Sequence, residues 1–389
     1  MIKTYALSTS EIDIAEAALE DIAGQLSAVK LLKNTICVAV CHYDFVHSGV
    51  YAAICESLPF PVVGFTTFSQ ANPISRGLFD LTLTILTSDD VRFAAAYGDL
   101  TTEGERPYDA IVQDTYRKAI ENSVESPSLM FSFLSMQLPF TGDAYLRYTD
   151  AVNGGATHFG ALAIGEDDTS ENTFVLAGDK ALRQGFVMLL MFGNVQSSFY
   201  YGSYPEENLL EQSATVTKAS GNCVQELSGL PAVEFLRRNG FEASDDAKDG
   251  FLTIPFLYHA SDDRMLVART MFDYTDEGHA LFFGEIPEES VFRIGTITTD
   301  EMLCETQKTV HRAVSENPDA TAFFVFSCMG RYIALGLDTT SELDIATAEI
   351  PEGIPYLMCY AGGEICPVEK PGRTDNRFHN SSVVVCVLH

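Results

Sequence analysis

Between residues 157 and 217 the chain consists almost wholly of short apolar runs broken by turn residues, at 159–164, 173–176, 185–191, 195–201 and 212–217. Runs of this length read as strands, and short turns between successive strands favour antiparallel pairing. Before this region, helical and strand patterns mix. Ile12, Ala15, Leu19, Ile22 and Leu26 form a stripe at helical spacing, with Ser10 as the expected cap and Asp13 three residues on. Strands are expected at 35–41 and 61–66, around a short helical stretch at 48–57. Residues 80–85 alternate as Asp-Leu-Thr-Leu-Thr-Ile, the pattern of a strand with one buried and one wetter face, and 91–97 is expected to pair with it. Pro107 opens a second helix carrying Tyr108, Ile111, Val112 and Tyr116 on one face. A strand at 128–134 and a short helix at 143–152 follow.

After residue 217 the pattern predicts a helix at 228–239 and strands at 251–258, 265–270, 280–283 and 290–295. Thr298 and Glu301 make a capping box for a long helix reaching about Asn317. Strongly apolar strands then fall at 321–327, 355–360 and 382–388. The strand–helix–strand order at 35–66 is echoed at 321–361, an echo too weak by itself to establish a duplication. Residues 242–250 are the expected linker. The expected fold class is α+β: mixed, largely antiparallel sheets covered by helices, in two parts at 1–242 and 251–389.

The 389 residues carry a net charge of −30, from 54 acidic and 24 basic side chains. Proteins that grip nucleic acid neutralise phosphates with clustered Lys and Arg, and no such cluster occurs here. An anionic membrane surface is disfavoured for the same reason. No apolar run approaches the roughly 20 residues of a membrane helix, and residues 1–5 lack the pattern of a signal peptide. A cytoplasmic location is expected. Nine scattered cysteines argue against a disulfide framework and fit a reducing compartment. No Cys-x-x-Cys pair supports structural zinc. The acidic turn Glu166-Asp167-Asp168-Thr169 lacks the ligand spacing of a calcium loop.

Candidate binding residues gather in the last third. Arg331 follows Cys328, Met329 and Gly330 at the end of an apolar strand. A guanidinium holds a carboxylate or phosphate through two parallel hydrogen bonds, and Gly330 allows close approach. The alternative is an arginine tying a strand end to an acidic neighbour. Glu364, after Gly362 and Gly363, can hold an amino group, so that with Arg331 it suits a zwitterion; it can equally pair with Arg331 itself. His379 and Asn380 precede the final strand and can add hydrogen bonds or simply satisfy a turn. Arg373 and Arg377 stand nearby, and Asn222 sits in a polar loop as a minor pocket candidate. Cys328 with His379 offers a nucleophile and base, a cysteine-dependent hydrolase, although no hydrolase signature surrounds them. Phosphate loops and dinucleotide glycine motifs are absent from the sequence.

Read together, residues 61–67 (Pro-Val-Val-Gly-Phe-Thr-Thr), Phe159-Gly160, 217–222 (Thr-Lys-Ala-Ser-Gly-Asn) and Leu230-Pro231-Ala232 resemble the N-terminal part of the FIST sensory domain. Residues 326–331 (Phe-Ser-Cys-Met-Gly-Arg), Gly363-Glu364-Ile365 and His379-Asn380-Ser381 resemble its C-terminal part, with Ser381 where a threonine is usual. The resemblance implies a bacterial signal-input module that binds a small organic ligand, an amino acid or carboxylate, and signals to a separate protein such as a kinase, chemoreceptor or cyclase. It implies no resident cofactor. Haem-containing relatives that sense nitric oxide keep noncovalent haem as a second reading, with one of the eight histidines as axial ligand.

Overall fold

The computed structural model describes residues 1–102, 104, 106–121, 123, 125–136, 140–165, 170–241, 252–259, 265–338, 340–370 and 373–389, with the side chains of Ser170 and Arg373 outside the description. The expected linker at 242–250 and the acidic turn at 166–169 therefore lie outside the described residues. The fold is α+β, with mixed, largely antiparallel sheets covered by helices.

One chain path is traced three times among the described residues. The first tracing runs through strand Lys3–Thr9, helix Ala15–Leu26, strand Asn34–Cys41, helix Val50–Ser57, strand Val62–Thr66, a short hairpin (Gln70–Ala71 and Arg76–Gly77) and strand Leu81–Ser88. The second uses Arg92–Asp99, helix Tyr108–Ile120, Leu129–Leu134, helix Gly142–Asp150, Thr157–Leu162, the hairpin Val175–Ala177 with Lys180–Leu182, and Gly185–Phe192. The third uses Ser197–Gly202, helix Thr299–Ser315, Ala322–Cys328, helix Ser341–Ala348, Tyr356–Ala361, the hairpin Glu364–Lys370 with Arg373–His379, and Val383–Leu388. In each, the strands flanking the second helix are parallel neighbours, and the last strand pairs antiparallel with the first of them. The echo between 35–66 and 321–361 is thus a real structural repeat, and 129–162 is a third copy.

The hairpins are exchanged between tracings. The first hairpin pairs with the third tracing (Gln70 opposite Cys359), the second with the first (Val175 opposite Phe65), and the third with the second (Glu364 opposite Ala161). Each six-stranded sheet is therefore completed by a hairpin from another tracing. The chain before the expected boundary at 242–250 and the chain after it share two of these sheets.

The inner faces of the three sheets meet in one core. Val38, Val40 and Phe65 come from the first, Phe131, Phe133 and Phe159 from the second, and Phe324, Phe326 and Leu357 from the third. Rings touch across every pair of sheets: Phe65 on Phe133 at 4.9 Å, Phe65 on Phe326 at 5.6 Å and Phe131 on Phe324 at 5.1 Å. Burial of each such ring contributes on the order of 2–3 kcal/mol. The outer faces are covered by the tracings' own helices, in three separate clusters. Two glycines mark the tight parallel pairings: a Cβ on Gly64 would overlap the Ala39 carbonyl, and one on Gly160 the Ser132 carbonyl.

Between Ser197–Gly202 and Thr299–Ser315 the third tracing carries an insertion, which among the described residues forms an eight-stranded sheet with its own core around Phe256, Phe282 and Phe292. Arg269 ties this insertion to the rest. Its buried guanidinium donates to Asp143 Oδ1 at 2.8 Å, on the second tracing's helix, to Phe378 O at 3.1 Å, on the third hairpin, and to Glu285 O at 3.0 Å.

Several local expectations change. The first helix begins at Ala15, and Glu11, not Ser10, accepts the Asp13 and Ile14 amides. Strand Leu81–Ser88 is buried on both faces, because Leu81, Leu83 and Ile85 lie under the helices while Leu86 reaches the shared core. Strand Arg92–Asp99 pairs with Gly185–Phe192 instead of with Leu81–Ser88, since the chain crosses to the next sheet between them. Strand Thr157–Leu162 runs parallel to Leu129–Leu134, not antiparallel. The Thr298–Glu301 capping box forms as expected.

Because two sheets need strands from both ends of the chain, a fragment of residues 1–241 is expected to lack a native core. Urea unfolding of that fragment should show no cooperative transition, whereas the full chain shows one. A fragment that unfolds cooperatively with near-native stability would contradict the exchange.

Candidate functional site

The third tracing places most of the sequence-predicted residues together. Strand Ala322–Cys328 ends in the short helix Met329–Ala334, which carries Arg331 inward with no exposure. The hairpin Glu364–Lys370/Arg373–His379 begins and ends beside it, with Glu364 directly opposite His379 in register, so both side chains share one face. The turn His379-Asn380-Ser381-Ser382 then leads into the final strand, and the Cys328 amide donates to Ser382 O at 2.9 Å. Ser381 sits at φ 51°, a left-handed conformation.

Arg331 has an internal partner. Its Nε donates to Glu342 Oε1 at 2.8 Å, and its Nη2 to Thr306 Oγ1 at 2.6 Å and Met302 O at 2.9 Å. Glu342 also accepts from Thr306 at 2.6 Å and from Ser327 at 2.8 Å. Both charges are fully buried. This is the tie between a strand end and an acidic neighbour, and breaking such a pair typically costs about 3–5 kcal/mol. One group is left over: Arg331 Nη1 has no partner among the described residues. Gly330 is accounted for by Ser381, whose Oγ lies 3.0 Å from where a Cβ would stand.

Glu364 lacks a countercharge of its own. It is fully buried, and Ser382 donates to Oε2 at 2.7 Å while Oε1 has no partner among the described residues. Burial holds its carboxyl well above the usual carboxylate range, against the opposing pull of Ser382, Arg331 and the Cys328 thiol. Gly363 precedes it at φ 143°, with the Phe378 ring and Asn380 packed where a side chain would be.

His379 is also fully buried. Its Nε2 lies 3.0 Å from Cys366 O; a carbonyl only accepts, so Nε2 carries the proton and Nδ1 is a bare acceptor. Burial pushes its pKa down to about 3, so the ring is neutral. Nδ1 has no partner among the described residues, and neither has Asn380 Oδ1. Tyr201 packs on the imidazole at 4.4 Å, and Tyr204 is buried near Ser381 and Arg331. The result is a buried cluster with three bare acceptors (Glu364 Oε1, Asn380 Oδ1, His379 Nδ1) and one bare donor (Arg331 Nη1).

Cys328 adjoins this cluster, but burial first and Glu364 second push its thiol far up, the reverse of what a nucleophile needs. Asn222 stands apart in the fourth sheet, where its Nδ2 donates to Phe282 O at 2.8 Å. Arg377 lies on the surface near Asp375, at 3.8 Å. No group of three His, Cys, Asp or Glu converges as a metal site among the described residues. Sequence reasoning missed Glu342 and Ser382, the partners of Arg331 and Glu364. Glu342 follows Arg331 by eleven positions in a helix whose apolar stripe is weak, so its only trace was an acidic residue near a helix start.

Among described residues, no helix is long and apolar enough to cross a membrane. Comparison with known proteins finds two family profiles, the FIST N domain over residues 34–230 and the FIST C domain over residues 232–367. The motif His379-Asn380-Ser381 lies beyond the second match. No curated protein matches. Among solved structures, phosphoribosylformylglycinamidine synthase II from Thermotoga maritima aligns at 11% identity and a TM-score of 0.20, over 100% of this chain and 71% of that one. The two profiles span most of the chain, which belongs to the FIST family of signal-transduction sensory domains.

Proposed function

We propose that this chain is a sensory input protein whose buried cluster around Glu364 binds a small amine-bearing organic molecule, an amino acid being the leading class, and passes its occupancy to a separate signalling protein. The observation that carries this reading is the set of four fully or almost fully buried polar atoms left without partners within one cluster. A buried polar group with no partner costs roughly 1–3 kcal/mol, and several gathered in one place mark where a guest supplies the missing bonds. Three acceptors match the donors of an ammonium group, and Arg331 Nη1 matches an acceptor such as a carboxylate oxygen. Glu364 and Asn380 hold the amine in this scheme. Arg331 contributes one bond while Glu342 keeps it in place.

A thermal-shift screen against the twenty L-amino acids tests the ligand class. A ligand at a hundredfold excess over its Kd stabilises the native state by about 2.7 kcal/mol, and the melting point of the full chain is expected to rise with at least one of them. Glu364→Ala and Asn380→Ala are expected to abolish that rise. No rise with any member, or a rise that survives both substitutions, contradicts the proposal.

The same reading says that Glu364 stays in place at a cost to stability. Its folded pKa is raised above the unfolded value near 4.5, so its contribution is most favourable below that pH and is lost as the pH climbs toward the folded value. Glu364→Gln removes this loss. Urea denaturation should find the variant more stable than the parent at pH 8, with a gap that narrows as pH falls toward 4.5. An equal or less stable variant at pH 8 means that the carboxylate is already fully compensated.

A further inference from the structure

The three exchanged hairpins differ in length. The first has strands of 2 residues and the second strands of 3, whereas each strand of the third has 7. Yet the third docks on its receiving strand only through Glu364 opposite Ala161 and Ile365 opposite Gly160. From Cys366 to Lys370 its outgoing strand pairs with its own return strand. It is an arm, with a base in the buried cluster and a far half reaching over the second tracing.

The middle of the arm is held by the Asn376 side chain. Asn376 Nδ2 donates to Asp150 Oδ1 at 2.9 Å and to Ala156 O at 3.0 Å, and its Oδ1 accepts the His158 amide at 2.9 Å. Next to the base, Arg269 grips Phe378 O while the Phe378 ring packs under the helix Gly142–Asp150. Beside the Asn376 contacts lies a polar surface groove of about 400 Å³, walled on one side by Asp150, Asn153 and Thr157 and on the other by the arm's Thr374, Asp375 and Arg377. One wall of the groove is therefore the arm itself. At the other end of the same ribbon, Glu364 and His379 carry bare atoms.

We propose that the arm formed by strands Glu364–Lys370 and Arg373–His379 is a strap that transmits the state of the buried cluster to this surface groove, with Asn376 as its latch. The base is the part of the arm hydrogen-bonded to a sheet, so a change in how Glu364 and His379 are satisfied alters the seating of the whole ribbon. The least costly place for that change to appear is the Asn376 contacts, which are side-chain bonds at the edge of solvent. Groove shape then reports the state of the cluster. The mechanical coupling is a property of the arm; its use in signalling rests on the ligand reading above.

The His158 amide reports the latch, because its hydrogen is donated to Asn376. Hydrogen exchange followed by mass spectrometry or NMR on full-length Glu364→Ala, with Ser382→Ala as the milder variant should the first not fold, tests base-to-latch transmission without any ligand. Exchange at His158 should rise at least about tenfold while Phe131 and Leu189, in the same sheet, are unchanged. Coupling is reciprocal, so Asn376→Ala should speed alkylation of the buried Cys366 by at least about tenfold. An unchanged His158 amide in a folded base variant, a rise shared equally by Phe131 and Leu189, or Cys366 labelling untouched by Asn376→Ala each overturns the strap. A negative amino-acid screen leaves a positive exchange result standing, so the two proposals fail separately.

Discussion

The exchange of hairpins around a shared aromatic core is the constraint on which the structure depends. Val175–Ala177 completes the first sheet, Glu364–Lys370 with Arg373–His379 the second and Gln70–Ala71 with Arg76–Gly77 the third, so each tracing borrows an edge from another. A sheet edge left without its neighbour exposes a row of backbone donors and acceptors. Here the edge strands Val62–Thr66, Thr157–Leu162 and Tyr356–Ala361 are each met by a distant segment, and the inner faces then close on Phe65, Phe131, Phe133, Phe324 and Phe326. The two family profiles divide the chain near residue 231, but the sheets do not divide there. Folding of the two profile regions is joined through strand pairing rather than through a docking surface.

The candidate site follows from the same geometry. The third tracing supplies Cys328, Arg331 and Ser382, and its exchanged hairpin brings Glu364 and His379 against them as it leaves for the second sheet. Two buried carboxylates lie within this region and are treated oppositely. Glu342 accepts from Arg331, Thr306 and Ser327, whereas Glu364 accepts from the Ser382 hydroxyl at Oε2 and has no partner among the described residues at Oε1. A satisfied ion pair anchors; a half-satisfied carboxyl in the same low-dielectric setting is where binding free energy can be gained. Arg269 plays the anchoring part for the inserted sheet, holding it to both the Gly142–Asp150 helix and the strap.

What local pattern could reveal, it did. The strand–helix–strand units at 35–66 and 321–361 and the Thr298–Glu301 cap are written within a few residues of sequence. Exchange is not, because pairing of Gln70 with Cys359 or of Glu364 with Ala161 leaves no local periodicity. The strap was invisible as strand for a second reason. Residues 364–379 carry acidic and basic side chains and Pro367, which argue against a strand packed in a sheet. Glu364–Lys370 and Arg373–His379 form strands because the outer half of the ribbon pairs only with itself. At the site, Glu364, His379 and Asn380 do share a buried region, while the partner that occupies most of Arg331 came from a helix that propensity did not foretell.

Native-state hydrogen exchange at low urea concentrations addresses the interlock most directly. The amides of Val38, Phe131 and Phe324 sit at corresponding inner positions of the three sheets. If the exchanged hairpins bind the sheets into one cooperative body, all three open with the same free energy and the same urea dependence. Val38 opening at a distinctly lower free energy than Phe324, with a shallower urea dependence, would show that the first sheet unfolds alone and that the interlock does not hold the molecule together.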